Sequence, residues 1–305
     1  MEAATAFVRT HDAGLVVCLG GGSAIDIGKV AASVARTGER PLAFAMEGLA
    51  LPRSGVPKIC LPTTAGTGSE LSSTNIFSDA EGKKVWMWGS ETKPDRVILD
   101  PDLPVSLPPH LTAWTGFDAF VHAFESCTDA HRHPANDLYA YRALGLVVDA
   151  LETAVHEPNN IDARGAMILG SAYAGIAFDN CSAAFAHNIS HALAALAPVH
   201  HGLATALGLE AFLAWQVEED GGPFAAAAEA CGLEPDATAL ADWYSGFLTR
   251  CGVERRLPEA FKALDAADLA AEMRAPETQY MRASTVRDVT ESDIDRFAAA
   301  MMALA

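Results

Sequence analysis

The chain has 305 residues, half of them hydrophobic, enough to bury a large core and to divide into two domains. Asp and Glu number 39 against 21 Lys and Arg, and the resulting formal charge of −18 disfavours nucleic acid and anionic membrane as partners. The few basic clusters, Lys83 with Lys84 and Arg255 with Arg256, have acids nearby and read as solvated surface. Six cysteines (Cys18, Cys60, Cys127, Cys181, Cys231, Cys251) contain no C-x-x-C pair, no basic and apolar leader opens the sequence, and no apolar run has membrane-spanning length. These features point to a cytoplasmic protein with reduced thiols.

The first predicted element is a buried parallel strand over Gly14 to Leu19, a continuous apolar run followed by three glycines. The strand ends at Gly20, and Ser23 is placed to cap a helix running through Ile25, Ile27 and Val30 to about Ala35. In Gly20-Gly21-Gly22-Ser23 the missing Cβ atoms let a phosphate approach the backbone, and the helix amino terminus offers unpaired N–H groups to it. The spacing of Gly22, Gly28 and Lys29 fits neither the G-x-G-x-x-G nor the G-x-x-x-x-G-K-[ST] pattern, which disfavours a P-loop kinase or ATPase. A second strand, Pro57 to Leu61, leads into the small and hydroxylated residues Pro62 to Glu70, and a third, Arg96 to Leu99, ends in Asp100-Pro101-Asp102. These turns are the carboxyl-end loops of an open sheet, where such folds place ligands.

After Pro104 the texture changes to Ala-rich amphipathic segments, with Pro104, Pro108 and Pro109 marking the boundary. Helices are predicted over Leu111 to Cys127, Ala135 to Val155, Asp162 to Phe178, Ala183 to Ala197, Leu203 to Gln216, Pro223 to Ala230, Ala237 to Cys251, Ala266 to Arg274 and Glu291 to Leu304. The expected architecture is therefore α/β plus all-α: a Rossmann-like parallel nucleotide-binding domain over residues 1–105, which the family resemblance given below makes a partial one, and a helical domain over residues 106–305.

The helical half carries the chemistry. Asp118 and His122 in GFDAFVHAFES are four apart, as are His187 and His191 in AHNISHALAALAPVHHG, where His200 and His201 follow. Residues four apart share a helix face, so each pair can aim two ligating atoms at one point. A carboxylate and several imidazoles suit a divalent ion of borderline softness, Zn²⁺ or Fe²⁺. Taken alone, D-x-x-x-H occurs by chance in many helices, and spacing does not choose between His187 and His191 or between His200 and His201. The concentration of imidazoles in Ala- and Leu-rich sequence is the stronger sign, because a buried polar ring needs a partner. Phe117, Phe124, Phe178, Phe185 and Trp114 are candidates for a pocket wall, although aromatics at helical spacing are more often core.

Taken together, GGGSAIDIGK (20–29), LPTTAGTGSE (61–70), VILDPDL (97–103), GFDAFVHAFES (116–126) and AHNISHALAALAPVHHG (186–202) resemble the iron-containing (group III) alcohol dehydrogenase family, in that family's order. The resemblance implies an α/β nucleotide-binding domain followed by an all-helical metal-binding domain, of the dehydroquinate synthase-like type, and a homodimer. It implies Asp118, His122, His187 and His201 as ligands of Fe²⁺ or Zn²⁺, with His191 beside the nicotinamide and substrate. Gly20, Gly21, Gly22 and Ser23 would hold the pyrophosphate of NAD or NADP, with Asp26 near the cofactor. Thr63, Thr64 and Thr67 would line its ribose and phosphates, and Lys84 would reach the nicotinamide ribose. A carboxylate and three neutral imidazoles leave a divalent ion near +1, able to polarise the oxygen of a small alcohol or aldehyde while hydride passes to or from the nicotinamide.

The pattern departs from the family at its amino end. Members carry several tens of residues before the GGGS turn, which begins here at Gly20, so the amino-terminal part of the nucleotide-binding domain is expected to be lacking. An exposed sheet edge and apolar face, with weaker dinucleotide affinity than in longer relatives, are the expected consequences. Two alternatives accompany the dehydrogenase: a related reductase or lyase of the maleylacetate reductase, glycerol-phosphate dehydrogenase or dehydroquinate synthase type, and a catalytically silent metal-binding helical protein. Retention of the four ligands argues against the maleylacetate reductases; the other two types would be expected to show more basic substrate-binding residues.

Overall fold

The computed structural model describes residues 1–46, 48–78, 84–218 and 222–305. Its first part begins with α1 (Glu2–Thr10), then β1 (Val16–Gly20), α2 (Gly22–Val34) and β2 (Lys58–Pro62). A hairpin follows, β3 (Thr74–Ser78) and β4 (Lys84–Trp88), and then β5 (Arg96–Val97). From Pro109 the described residues hold helices: α3 (Pro109–Thr128), α4 (Pro134–His156), α5 (Ile161–Phe178), α6 (Phe185–Leu196), α7 (His201–Gln216), α8 (Gly222–Ala230), α9 (Ala239–Arg250), α10 (Ala266–Met273), α11 (Gln279–Ala283) and α12 (Glu291–Met302). No described helix is long and apolar enough to cross a membrane.

The sheet has the order β1-β2-β5 and is parallel, with Cys18 opposite Cys60 and Gly20 opposite Pro62. The crossover from β1 to β2 runs through α2, which covers one sheet face: Ile25 is fully buried, and Gly28 sits directly over Cys18. The opposite face is open, with Val17 58% and Leu19 55% exposed, and β1 has no strand on its outer side among the described residues. Parallel sheets are ordinarily covered on both faces, so this is the exposed apolar edge expected from the sequence.

The predicted strands lie where they are expected, but the third spans only Arg96–Val97 rather than Arg96 to Leu99. The predicted cap is corrected: the residue preceding α2 is Gly21, and no side chain caps it, so Ser23 lies in the first turn and is exposed. Helix α1 and the antiparallel hairpin were not anticipated. Buried polar bonds hold that hairpin. Asn75 donates to the carbonyls of Ser73 and Met87 and to Thr92 Oγ1, and the wholly buried Lys29 donates to the carbonyls of Ser69, Ser72 and Thr74.

The helical half packs around aromatic rings, with Phe117 against Phe247 at 5.0 Å and Phe185 against Phe212 at 5.0 Å between centroids. Its helix starts follow local rules: Pro134 opens α4 behind His133, Asn160 accepts from the Ala163 N–H ahead of α5, and Thr290 forms a capping box with Asp293 at α12. All six cysteines are free, and all but Cys181 are buried.

Candidate metal centre and dinucleotide cradle

Helix α3 carries Asp118 and His122 one turn apart, α6 carries His187, and His201 is the first residue of α7. Close helix approach makes the meeting possible: a Cβ on Gly202 would stand 2.1 Å from the Trp114 carbonyl oxygen, so only glycine lets α7 seat against α3. One ligand-type atom from each of Asp118, His122, His187 and His201 lies within 4.8 Å of the other three. His201 Nε2 is 3.4 Å from Asp118 Oδ1, and the His122 and His187 rings stack at 4.8 Å. Of the alternatives left open by spacing, His187 and His201 belong to this cluster. His191 is half-buried one turn further along α6, its ring 5.8 Å from that of His201. His200 faces Trp114 instead, at 5.1 Å.

The remaining ring nitrogens are tied down. His187 Nδ1 is 2.6 Å from Glu125 Oε2, His122 Nδ1 is 3.2 Å from the Gly66 carbonyl, and His201 Nδ1 is 3.0 Å from Ser190 Oγ. The opposing atoms are left wanting: His187 Nε2 and Asp118 Oδ1 are buried without a hydrogen-bond partner. A buried ring nitrogen and a buried carboxylate oxygen, neither of them in a hydrogen bond, are what a cation would satisfy, so the residues fit a metal ion.

Electrostatics agree. Burial alone would push the Asp118 carboxyl up, but the neighbouring imidazoles, His122 and His201 foremost, outweigh it and hold it below the usual range. Burial, reinforced by His122 and His201, takes His187 well below an ordinary histidine, so it is neutral and has a lone pair to give. Burial pushes Glu125 up to about 7, against the Ala184 and Ala186 N–H groups that favour its charged form. Sequence reasoning assigned no role to Glu125, although a signal existed: it stands three residues after His122 and seven after Asp118, on the same helix face.

Of the five aromatics, Phe117, Phe124 and Phe185 are core, whereas Phe178 packs on His122 at 4.5 Å and on His187 at 5.5 Å, and Trp114 lies between His110 and His200.

On the other side, the glycine turn and the threonine loop come together. The Thr63 N–H donates to the Gly20 carbonyl at 2.9 Å, and Gly21 lies against Thr64. A Cβ on Gly22 would be 2.6 Å from Thr67 Cγ2, so the absence of a side chain there keeps the turn and loop in contact. Helix α2 starts at this point with no side-chain cap, leaving its first N–H groups for an anion. Asp26 is engaged within the protein, Oδ2 accepting from the Ile76 N–H at 3.0 Å and Oδ1 lying 3.5 Å from Lys29 Nζ. Lys84 begins β4, but its side chain lies outside the described residues.

Two family models match the chain: the iron-containing alcohol dehydrogenase model over residues 1–101, and the C-terminal model of the Fe-containing alcohol dehydrogenase family over residues 112–302. The long-chain-alcohol dehydrogenase 1 of Geobacillus thermodenitrificans is 37% identical over 208 residues, 68% of this chain and 52% of the relative. The sulfoacetaldehyde reductase of Bilophila wadsworthia is 37% identical over 197 residues, 64% of this chain and 51% of that one. The chain thus spans about half the length of the curated relatives it matches. Among solved structures, the sulfoacetaldehyde reductase from Bifidobacterium kashiwanohense in complex with NAD+ superposes with a TM-score of 0.90 at 31% identity, covering 99% of this chain and 80% of that one. With both family models matched and the four-residue cluster in place, the chain belongs to the iron-containing alcohol dehydrogenase family.

Proposed function

We propose that this chain holds Fe²⁺ or Zn²⁺ through Asp118, His122, His187 and His201, holds NAD or NADP on its glycine turn, and transfers hydride between a small alcohol or aldehyde and the nicotinamide. The observation that carries this reading is the convergence of those four side chains with His187 Nε2 and Asp118 Oδ1 buried and in no hydrogen bond. The relatives named for alcohol oxidation and aldehyde reduction, and the similar structure bound to NAD+, support it.

When bound, the cation supplies Lewis acidity toward the alcohol or carbonyl oxygen and the nicotinamide supplies the carbon that exchanges hydride. The protein's own groups do the rest. Ionised Asp118 and neutral His187 are already in the protonation states that ligation requires. Phe178, lying over two of the imidazoles, excludes water from that side. Gly20, Gly21, Gly22 and Ser23 at the start of α2 receive the pyrophosphate, and Thr63, Thr64 and Thr67 line the same cradle; Asp26 and Lys84 complete this assignment. His191, half-buried next to the cluster, takes the alcohol proton outward. We read residues 1–105 as the dinucleotide half and 106–305 as the metal half of a cytoplasmic homodimer, the free cysteines being consistent with a reducing compartment.

The test is reconstitution with Fe²⁺ and with Zn²⁺, followed by NADH and NADPH oxidation across a panel of aldehydes. Turnover with at least one metal is expected, and His122→Ala should lose both metal retention and turnover. Stoichiometric metal without any cofactor oxidation would instead identify a silent metal-binding protein, and full occupancy and turnover in His122→Ala would remove that residue from the site.

A further inference from the structure

Glu125 is 2% exposed and sits at the junction of α3 with the start of α6. Two backbone N–H groups and one ring nitrogen converge on it: the Ala186 N–H meets Oε1 at 2.8 Å, the Ala184 N–H meets Oε2 at 2.8 Å, and His187 Nδ1 lies 2.6 Å from Oε2. An ionised carboxylate is an acceptor only. Facing Nδ1, it places the imidazole proton there and leaves the lone pair on Nε2, the buried atom without a partner. The same carboxylate holds the first turn of the helix that bears this ring, so ring orientation and helix position are set by one group.

We propose that Glu125 is a positioning residue of the metal centre, fixing the tautomer and direction of His187 so that Nε2 is delivered to the cation. The inference rests on the metal reading above. Glu125→Gln keeps the volume but presents one oxygen and one NH2 where two backbone N–H groups and the ring nitrogen converge, so in either orientation the NH2 meets a backbone N–H. With the NH2 toward His187 it donates to Nδ1, and the imidazole proton moves to Nε2, where it blocks the lone pair. With the NH2 toward Ala186 that N–H loses its acceptor and only the Ala184 N–H still ties the start of α6, so the helix that carries His187 is held less firmly.

The experiment is zinc affinity by chelator competition at pH 8, together with thermal unfolding of the metal-free and zinc-loaded full chain, for the parent and Glu125→Gln. Zinc affinity should fall on the order of 10- to 100-fold, the usual cost of losing a partner behind a ligand. The zinc-induced rise in Tm should shrink as well, whereas a merely structural role would lower both Tm values together and leave that rise intact. An affinity within twofold of the parent would overturn the proposal while leaving the metal reading standing; a parent that binds no zinc would overturn the reading itself. If the Gln variant does not fold, ¹⁵N-histidine spectra of the metal-free parent at pH 8 decide directly. His187 protonated on Nδ1 upholds the proposal, and His187 protonated on Nε2 defeats it.

Discussion

Glu70 closes the threonine loop with almost no access to water: it is 1% exposed, and its Oε1 has no hydrogen-bond partner. Burial pushes its carboxyl up to about 7 from 4.5, with Lys29 pulling it down and Asp26 pushing it further up. The folded chain therefore keeps this proton to about pH 7, while the unfolded chain releases it near 4.5. Between those values the native state binds more protons, so stability falls as pH rises, by at most about 1.4 kcal/mol per unit from this group. Relative to the parent, Glu70→Gln should gain stability between pH 5.5 and pH 8; a variant-to-parent difference in denaturation midpoint that is equal at both pH values would contradict this. The four metal-type residues were legible because their chemistry is rare in Ala- and Leu-rich helices. Glu70, Lys29 and Glu125 were not, because an acid or a lysine in a sequence looks like surface until its partners, tens of residues away, are placed around it.

At the scale of elements, the carboxyl end of α5 serves both halves of the chain. Phe178 covers the imidazoles, and the next residue, Asp179, reaches the hairpin: Oδ1 accepts from the Ser73 N–H at 2.5 Å, and Oδ2 accepts from Ser73 Oγ at 2.9 Å and pairs with Lys93 at 2.8 Å. Asp179→Ala leaves the Ser73 N–H without its acceptor and should cost about 1–3 kcal/mol of stability in urea unfolding. An unchanged midpoint would mean that this contact does not join the halves. Helices α3 to α10 and α12 fall close to their predicted spans because a 3.6-residue apolar period is written locally. The hairpin left no such trace, since Asn75, Thr92 and Lys29 hold it through long-range polar bonds. Helix α1 has nine residues, only Thr5 and Val8 of them buried, and was too short and too polar to announce itself.

Across the whole molecule, the parallel sheet and the helical bundle were both readable from the change of texture after Pro104, whereas the open face of β1 was expected only from comparing the motif order with that of the family. What a sequence does not display is how the proposed metal and dinucleotide regions meet. The Gly66 carbonyl that receives His122 Nδ1 belongs to the loop whose threonines abut the glycine turn. A displacement of that loop by dinucleotide is thus felt at an imidazole, and occupancy of the imidazole is felt in the loop. Binding at either place should then be cooperative with binding at the other, and thermodynamics requires the enhancement to be mutual. Zinc affinity measured with and without saturating NADH, and NADH affinity measured with and without zinc, should change by one common factor, on the order of fivefold or more. A factor of one would show that the shared peptide transmits nothing.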